Sequence, residues 1–242
     1  MNNYKITIQY DGSNYAGWQE QENANTVQET IKNFINTIIR ENVNLIGSGR
    51  TDAGVHALGQ VASFKTKQEL DIYKFQHSLN SVLPNDISIR KTDKAEESFH
   101  SRFDAKKRSY LYFISRSKSP FFNPYSFQYR GKTEIDLLNT LSASFIGEKD
   151  FTSFSKKNSE TKNKSCIIYH ARWRETNDLF IFSIQANRFL HGMVRTITGT
   201  LLRTMEKDLG EDYIREIFSK KNREAAAEAV PAKGLFLYRV SY

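Results

Sequence analysis

The segment Gly47-Ser48-Gly49-Arg50-Thr51-Asp52-Ala53-Gly54-Val55-His56-Ala57 gathers the residue types that do chemistry. Glycines stand on both sides of one carboxylate, so the backbone can turn sharply and come close to a ligand, presenting Asp52 between small neighbours. The aspartate would then be presented rather than packed away. The same residues also fit an Asx-turn, in which the carboxylate only caps nearby amides. Arg50, two residues earlier, carries a guanidinium that can stack on a base and bind phosphate together, or form a structural ion pair. His56 and His100 invite a metal reading, but the five histidines are scattered, Cys166 stands alone and no pair has ligand spacing, so no metal is expected. The glycines do not make a phosphate-binding loop either, because no Gly-Lys-Ser/Thr follows them.

Elements on both sides must hold this segment. Tyr4, Ile6, Ile8 and Tyr10 alternate with polar residues and predict a strand that ends at the Asp11-Gly12 turn. Asn25 can cap a helix carrying Val27, Ile31, Phe34, Ile35 and Ile38, with Gln28 three residues after the cap. Short strands are expected at Val43 to Gly47 and Gln60 to Phe64, with the glycine-punctuated loop between them. Further on, the pattern predicts a helix over Leu70 to Leu83, stopped by Pro84, and a strand over Asp86 to Lys91. A Tyr- and Phe-rich strand over Lys107 to Ser115 and a helix over Ile135 to Ile146 follow. Ser165 to Arg174 and Leu179 to Gln185 read as a hairpin turning at Asn177-Asp178. Helices over Arg188 to Glu206 and Asp212 to Ser219 and a strand over Gly234 to Tyr242 complete the chain. Interspersed hairpins and helices indicate an α+β architecture with largely antiparallel sheet.

Composition narrows the setting. At 242 residues the chain can bury a substantial core. No apolar run reaches the roughly 20 residues of a membrane-spanning helix, and Met1 to Tyr10 lacks the layout of a secretion signal. The lone Cys166 lies in an apolar run, so it reads as a buried strand residue, and a reducing, cytoplasmic location is expected. Lys and Arg number 35 against 27 Asp and Glu, a formal charge of +8 that favours a polyanionic partner. The polar interval Lys156 to Lys164, with Lys156, Lys157, Lys162 and Lys164, reads either as a solvated loop or as a basic arm on phosphates.

Gly49 to Ala57 resembles, without a break, the catalytic motif of the tRNA pseudouridine synthase A family. Further segments match in the same order: Tyr10-Asp11-Gly12, Gly17-Trp18-Gln19, Thr26-Val27-Gln28, Phe99-His100, Arg102-Phe103 and Arg108 to Tyr112. Asp150 to Phe154, Asn187 to Arg195 and Pro231 to Leu237 follow. The resemblance implies a pseudouridine synthase fold, two ferredoxin-like halves around a largely antiparallel central sheet with flanking helices. The division is placed near residue 105: residues 1–105 carry the catalytic loop, and residues 106–242 complete the cleft and the dimer interface. It implies isomerisation of uridine to pseudouridine at positions 38 to 40 of the tRNA anticodon arm, by a homodimer that needs no cofactor.

Residue by residue, the resemblance makes Asp52 the nucleophile, with attack on the sugar, attack on the pyrimidine or assisted elimination all left open. Tyr110 matches the tyrosine that stacks on the base and helps remove the carbon 5 proton, although its place beside Tyr112 also suits a core residue. Arg195 matches the arginine set against the aspartate, and Arg50 the one that braces a flipped base. Leu235 matches the apolar pocket residue, with Leu237 as the alternative. Arg102, Lys106, Lys107, Arg108 and the Lys156 to Lys164 loop are the expected RNA contacts. Two other classes fit the residues less closely: a non-catalytic basic RNA-binding protein and an N-glycosidase that removes the base.

Overall fold

The alternation near the N-terminus is realised as β1 (Asn2–Tyr10), with Tyr4, Ile6, Ile8 and Tyr10 buried. The computed structural model describes residues 1–157 and 162–242. By contacts the chain divides into two units, residues 1–106 with 236–242 and residues 107–235.

In the first unit β1 is followed by α1 (Val27–Ile39), β2 (Ile46–Gly47), β3 (His56–Thr66), α2 (Ile72–Val82) and β4 (Ile87–Ala95). β1 pairs antiparallel with both β3 and β4, and β2 pairs antiparallel with β3, giving the order β4-β1-β3-β2 of a ferredoxin-like unit. α1 buries Val27, Ile31, Ile35 and Ile39, one stripe at helical spacing. Its first residue follows Thr26 rather than the expected Asn25, and no side chain caps it. Gln28 does not close a capping box: its amide donates to the Leu45 carbonyl at 2.7 Å and its oxygen accepts the Glu20 N–H at 2.9 Å. α2 is capped by Asp71, which accepts the Lys74 N–H at 3.1 Å, and it ends before Pro84 as expected.

The strand expected over Val43 to Gly47 contracts to two paired residues, whereas β3 begins earlier than expected, at His56. Tyr10 of β1 pairs with Ala57, and a second partner lies far along the chain. In β10 (Leu235–Ser241), Phe236 and Leu237 pair in parallel with His56 and Ala57, on the edge of β3 that β1 does not use.

The second unit runs β5 (Lys107–Ser115), β6 (Phe127–Gln128), α3 (Ile135–Ala143), β7 (Gly147–Asp150), β8 (Ser165–Glu175), β9 (Leu179–Ala186), α4 (Met193–Glu206) and α5 (Gly210–Lys220). Its strands lie in the order β5-β9-β8-β7, antiparallel throughout, with β6 added in parallel to β5. β5 and the β8–β9 hairpin match expectation closely. The helix expected from Arg188 starts only at Met193, because Gly192 takes a left-handed φ of 73° and the Asn187 carboxamide oxygen accepts the Ile167 and Arg188 N–H groups instead.

An asparagine covers an open strand edge in each unit. Asn80 of α2 donates to the Ile89 carbonyl at 2.9 Å and accepts its N–H at 2.7 Å. Asn139 of α3 binds the Trp173 carbonyl and N–H at 3.3 and 2.8 Å in the same way. One carboxamide thus stands in for a neighbouring strand at a place where, among the described residues, β8 has no ladder partner on that side. Asn139→Ala is expected to lower stability by about 1–3 kcal/mol by orphaning both groups. Urea unfolding should show an earlier midpoint with an unchanged slope.

Candidate active site

The loop between β2 and β3 carries Asp52, and its backbone is tied at nearly every residue. Ser48 N–H donates to the Val61 carbonyl at 2.7 Å, and its hydroxyl donates to the Gln60 side-chain oxygen at 2.6 Å. Gln60, wholly buried, donates in turn to the Gly49 carbonyl at 2.9 Å. The Thr51 carbonyl accepts the Trp18 N–H at 3.1 Å, and its hydroxyl shares a 2.8 Å hydrogen bond with Tyr10. Past the aspartate, Val55 N–H donates to the Asp52 carbonyl at 3.2 Å and turns the chain. Gly54, at φ 73°, donates to the Tyr15 carbonyl.

These bonds require very close packing against the residues after β1. Gly17 sits at φ 104°, and a Cβ there would lie 2.6 Å from the Thr51 carbonyl oxygen. A Cβ on Gly12 would lie 2.1 Å from the Val55 carbonyl oxygen, and one on Gly47 would enter the buried indole of Trp18. Asp52 itself is half-buried and Arg50 is exposed, its Nε–H reaching the Gln19 side-chain oxygen at 3.3 Å. His56 is a buried support for this loop. Its ring stacks on Phe236 at 4.6 Å, and its Nδ1 lies 3.1 Å from the Gly12 N–H and 3.0 Å from an Asp11 carboxylate oxygen. That nitrogen serves one of the two at a time: a neutral imidazole accepts from Gly12, whereas a protonated Nδ1 donates to Asp11. Among the described residues no group of three His, Cys, Asp or Glu side chains is arranged to hold a metal ion.

The second unit holds three of the expected residues. Tyr110 lies on β5 opposite Ile184, buried, with its ring edge-on to Phe189 at 5.2 Å and 88°. Tyr112 occupies the same face of the strand. Its hydroxyl donates to the Pro231 carbonyl at 2.8 Å, and its ring leaves no room for a Cβ on Gly234. Burial pushes the Tyr112 hydroxyl well above its ordinary pKa, opposed by the positive charge of Arg195. Arg195 is in the first turn of α4. Its Nε–H donates to the Val230 carbonyl at 2.7 Å while Val230 N–H donates back to the Arg195 carbonyl at 3.3 Å. That reciprocal pair fixes the guanidinium against the stretch leading to Leu235. Leu235 is buried in this unit, and Leu237, the alternative, is buried in the first.

The expected RNA contacts divide. Arg102 and Lys106 are exposed, and so are Lys156 and Lys162. Lys157 is exposed but its ammonium meets Glu224 at 2.7 Å, which raises its pKa and obliges a phosphate to compete for it. Arg108 is half-buried and donates to the Asn187 carbonyl at 2.8 Å, so it braces the unit. The middle of the proposed basic arm, residues 158–161, lies outside the described residues.

A carboxylate on a braced glycine loop, in an α+β chain with this strand order, has a known family. The sequence pattern of the tRNA pseudouridine synthase family matches residues 6–104 and 141–242, and the chain belongs to that family. It is similar along its whole length to proteins named tRNA pseudouridine synthase A. Identity is 42% over 247 residues with that of Caldicellulosiruptor saccharolyticus, spanning 100% of both chains. It is 40% over 241 residues with that of Bacteroides fragilis, spanning 99% of this chain and 96% of the other. With that of Clostridium acetobutylicum it is 40% over 244 residues and 100% of each.

Sequence reasoning had not foreseen how Gln60, Gly17 and Trp18 act as the frame of the Asp52 loop. Their signal is the Gly-Trp-Gln run upstream, whose meaning depends on its tertiary partner. Gly17→Ala is expected to displace the Thr51–Asp52 peptide and slow pseudouridine formation by roughly 100-fold, the usual scale for misplacing a reacting group by about 1 Å. Single-turnover kinetics on a tRNA transcript, with circular dichroism to verify folding, would test it.

Proposed function

We propose that this chain is a tRNA pseudouridine synthase that isomerises uridine to pseudouridine at positions 38 to 40 of the anticodon arm, with Asp52 as nucleophile. One observation carries the reading: the unbroken Gly49 to Ala57 motif lies on a loop whose backbone is pinned while its aspartate stays half-buried, in a chain about 40% identical to such synthases from end to end.

The reaction breaks the bond between uracil N1 and the ribose, turns the base and joins the ribose to carbon 5. Carbon 5 loses a proton and N1 gains one, so no cofactor enters the balance. Asp52 supplies a carboxylate to the sugar or to the ring. A uridine within a stem must first leave the stack, and Arg50, exposed beside Asp52 in sequence, braces the vacated position. Tyr110 stacks on the base and helps take the carbon 5 proton, and Leu235 packs against it. Arg195, anchored through its Nε on the Val230 carbonyl, favours the ionised aspartate by its positive charge. Arg102, Lys156 and Lys157 meet RNA phosphates, with Lys157 exchanging Glu224 for one. In this reading residues 1–105 supply the catalytic loop and residues 106–242 complete the cleft and a homodimer interface, in the cytoplasm. No helix among the described residues is long and apolar enough to cross a membrane.

Asp52→Asn is expected to abolish tritium release from carbon 5 of labelled uridine while leaving tRNA affinity within about twofold of wild type, the pattern of a group that acts on the reaction rather than on binding. Retained turnover would reject the assignment. Mass spectrometry of treated tRNA should show unchanged mass with new pseudouridine, since base removal by an N-glycosidase would lower the mass. Neutralising Lys156, Lys157, Lys162 and Lys164 together should weaken binding and reduce the slope of log affinity against log salt by roughly two to four, about one per phosphate contact. An unaltered slope would remove these lysines from the interface.

A further inference from the structure

Phe103 is 75% exposed, yet the turn that carries it is fixed. Asp104 N–H donates to the His100 carbonyl at 3.1 Å, and the Asp104 carboxylate accepts the His100 N–H at 2.8 Å. His100 Nδ1 lies 3.1 and 3.3 Å from the N–H groups of Arg102 and Phe103 and accepts from both. Ser101, buried, roots the turn in the sheet: its hydroxyl donates to the Ile46 carbonyl at 2.5 Å and its N–H to the Ser63 hydroxyl at 3.3 Å. The Tyr242 hydroxyl donates to its carbonyl at 2.8 Å. The Phe103 ring leans on the His100 ring, 4.3 Å between centres, and the Arg102 guanidinium stands 5.8 Å from its centre.

A phenyl ring kept in water forgoes about 1.5–3 kcal/mol of burial, so a turn this well bonded holds the ring out against its own solvation preference. What surrounds the ring indicates the partner. Its sequence neighbours Arg102, Asp104 and Lys106 are exposed and charged, unlike the apolar centre of a protein interface. Two of the acidic groups on this stretch are engaged elsewhere, Asp104 on the His100 amide and Glu97 on the Met1 amino group at 3.1 Å. A preorganised aromatic face with a guanidinium beside it, and an exposed lysine three residues further along the chain, suits a nucleobase with its phosphates.

We propose that Phe103 is a stacking point for an unpaired nucleobase of the RNA substrate, other than the reacting uridine, with Arg102 and Lys106 on the adjoining phosphates. This rests on the reading of the chain as a tRNA-modifying enzyme and adds a contact that the reaction chemistry does not require. Stacking there contributes to binding and leaves the chemical step alone.

The test uses the full chain with an unmodified tRNA transcript and compares Phe103→Ala, Phe103→Leu and Phe103→Trp. Alanine and leucine should raise Kd and KM by roughly five- to a hundredfold, with kcat unchanged and thermal unfolding unshifted, and tryptophan should restore wild-type values. Affinity unchanged in the alanine variant, or fully kept by leucine, overturns the proposal. Loss of self-association in sedimentation velocity with tRNA affinity intact also overturns it, in favour of a contact between protein copies. If the wild-type chain neither binds nor isomerises the transcript, the enzyme reading itself fails, which is a different result from a silent Phe103.

Discussion

Everything at the candidate site depends on backbone meeting backbone with no side chain between. Gly12 and Gly17 lie so close to the Thr51–Val55 carbonyls that a single methyl group at either would collide with them. That proximity lets Trp18, Tyr15 and Tyr10 reach the loop with an amide, a carbonyl and a hydroxyl, so the loop is defined by partners some forty residues upstream. A glycine-rich segment alone would be mobile, since glycine loses more conformational freedom on ordering than any other residue. Here the order comes from outside the segment.

Electrostatics sets a second constraint. In the proposed reading a carboxylate approaches a polyanion against repulsion, and a formal charge of +8 offsets it at long range. Close in, the two units treat their charges differently. On the first, Arg50 and Arg102 are exposed, whereas on the second Arg195 and Arg108 donate to main-chain carbonyls and are thereby aimed or immobilised.

Much of this was legible in the sequence, for reasons that differ by element. β5 and the β8–β9 hairpin were readable because their apolar alternation and the Asn177-Asp178 turn are local signals. The family was readable because nine contiguous residues match its motif. The start of β3 was not, since His56 pairs with Phe236 and Ala57 with both Tyr10 and Leu237, and no local pattern reports partners so distant. The start of α4 was hidden similarly: Asn187 and Arg188 have acceptable helical propensity, and only the Ile167 amide, in another strand, draws Asn187 away. His56, which invited a metal reading, is a ring packed between a turn and a phenylalanine, a role that composition does not reveal.

The late partner of β3 has a consequence for the order of events in the cell. Until the ribosome has translated Phe236 and Leu237, the strand edge at His56 and Ala57 has no ladder neighbour and the imidazole no aromatic surface to rest on. The unit that bears Asp52 is therefore completed only by residues translated after the whole of the other unit. A ribosome that stalls shortly before that point releases a product with an open β-edge, prone to pairing with other chains, so quality control meets a defective aggregator rather than a slow enzyme.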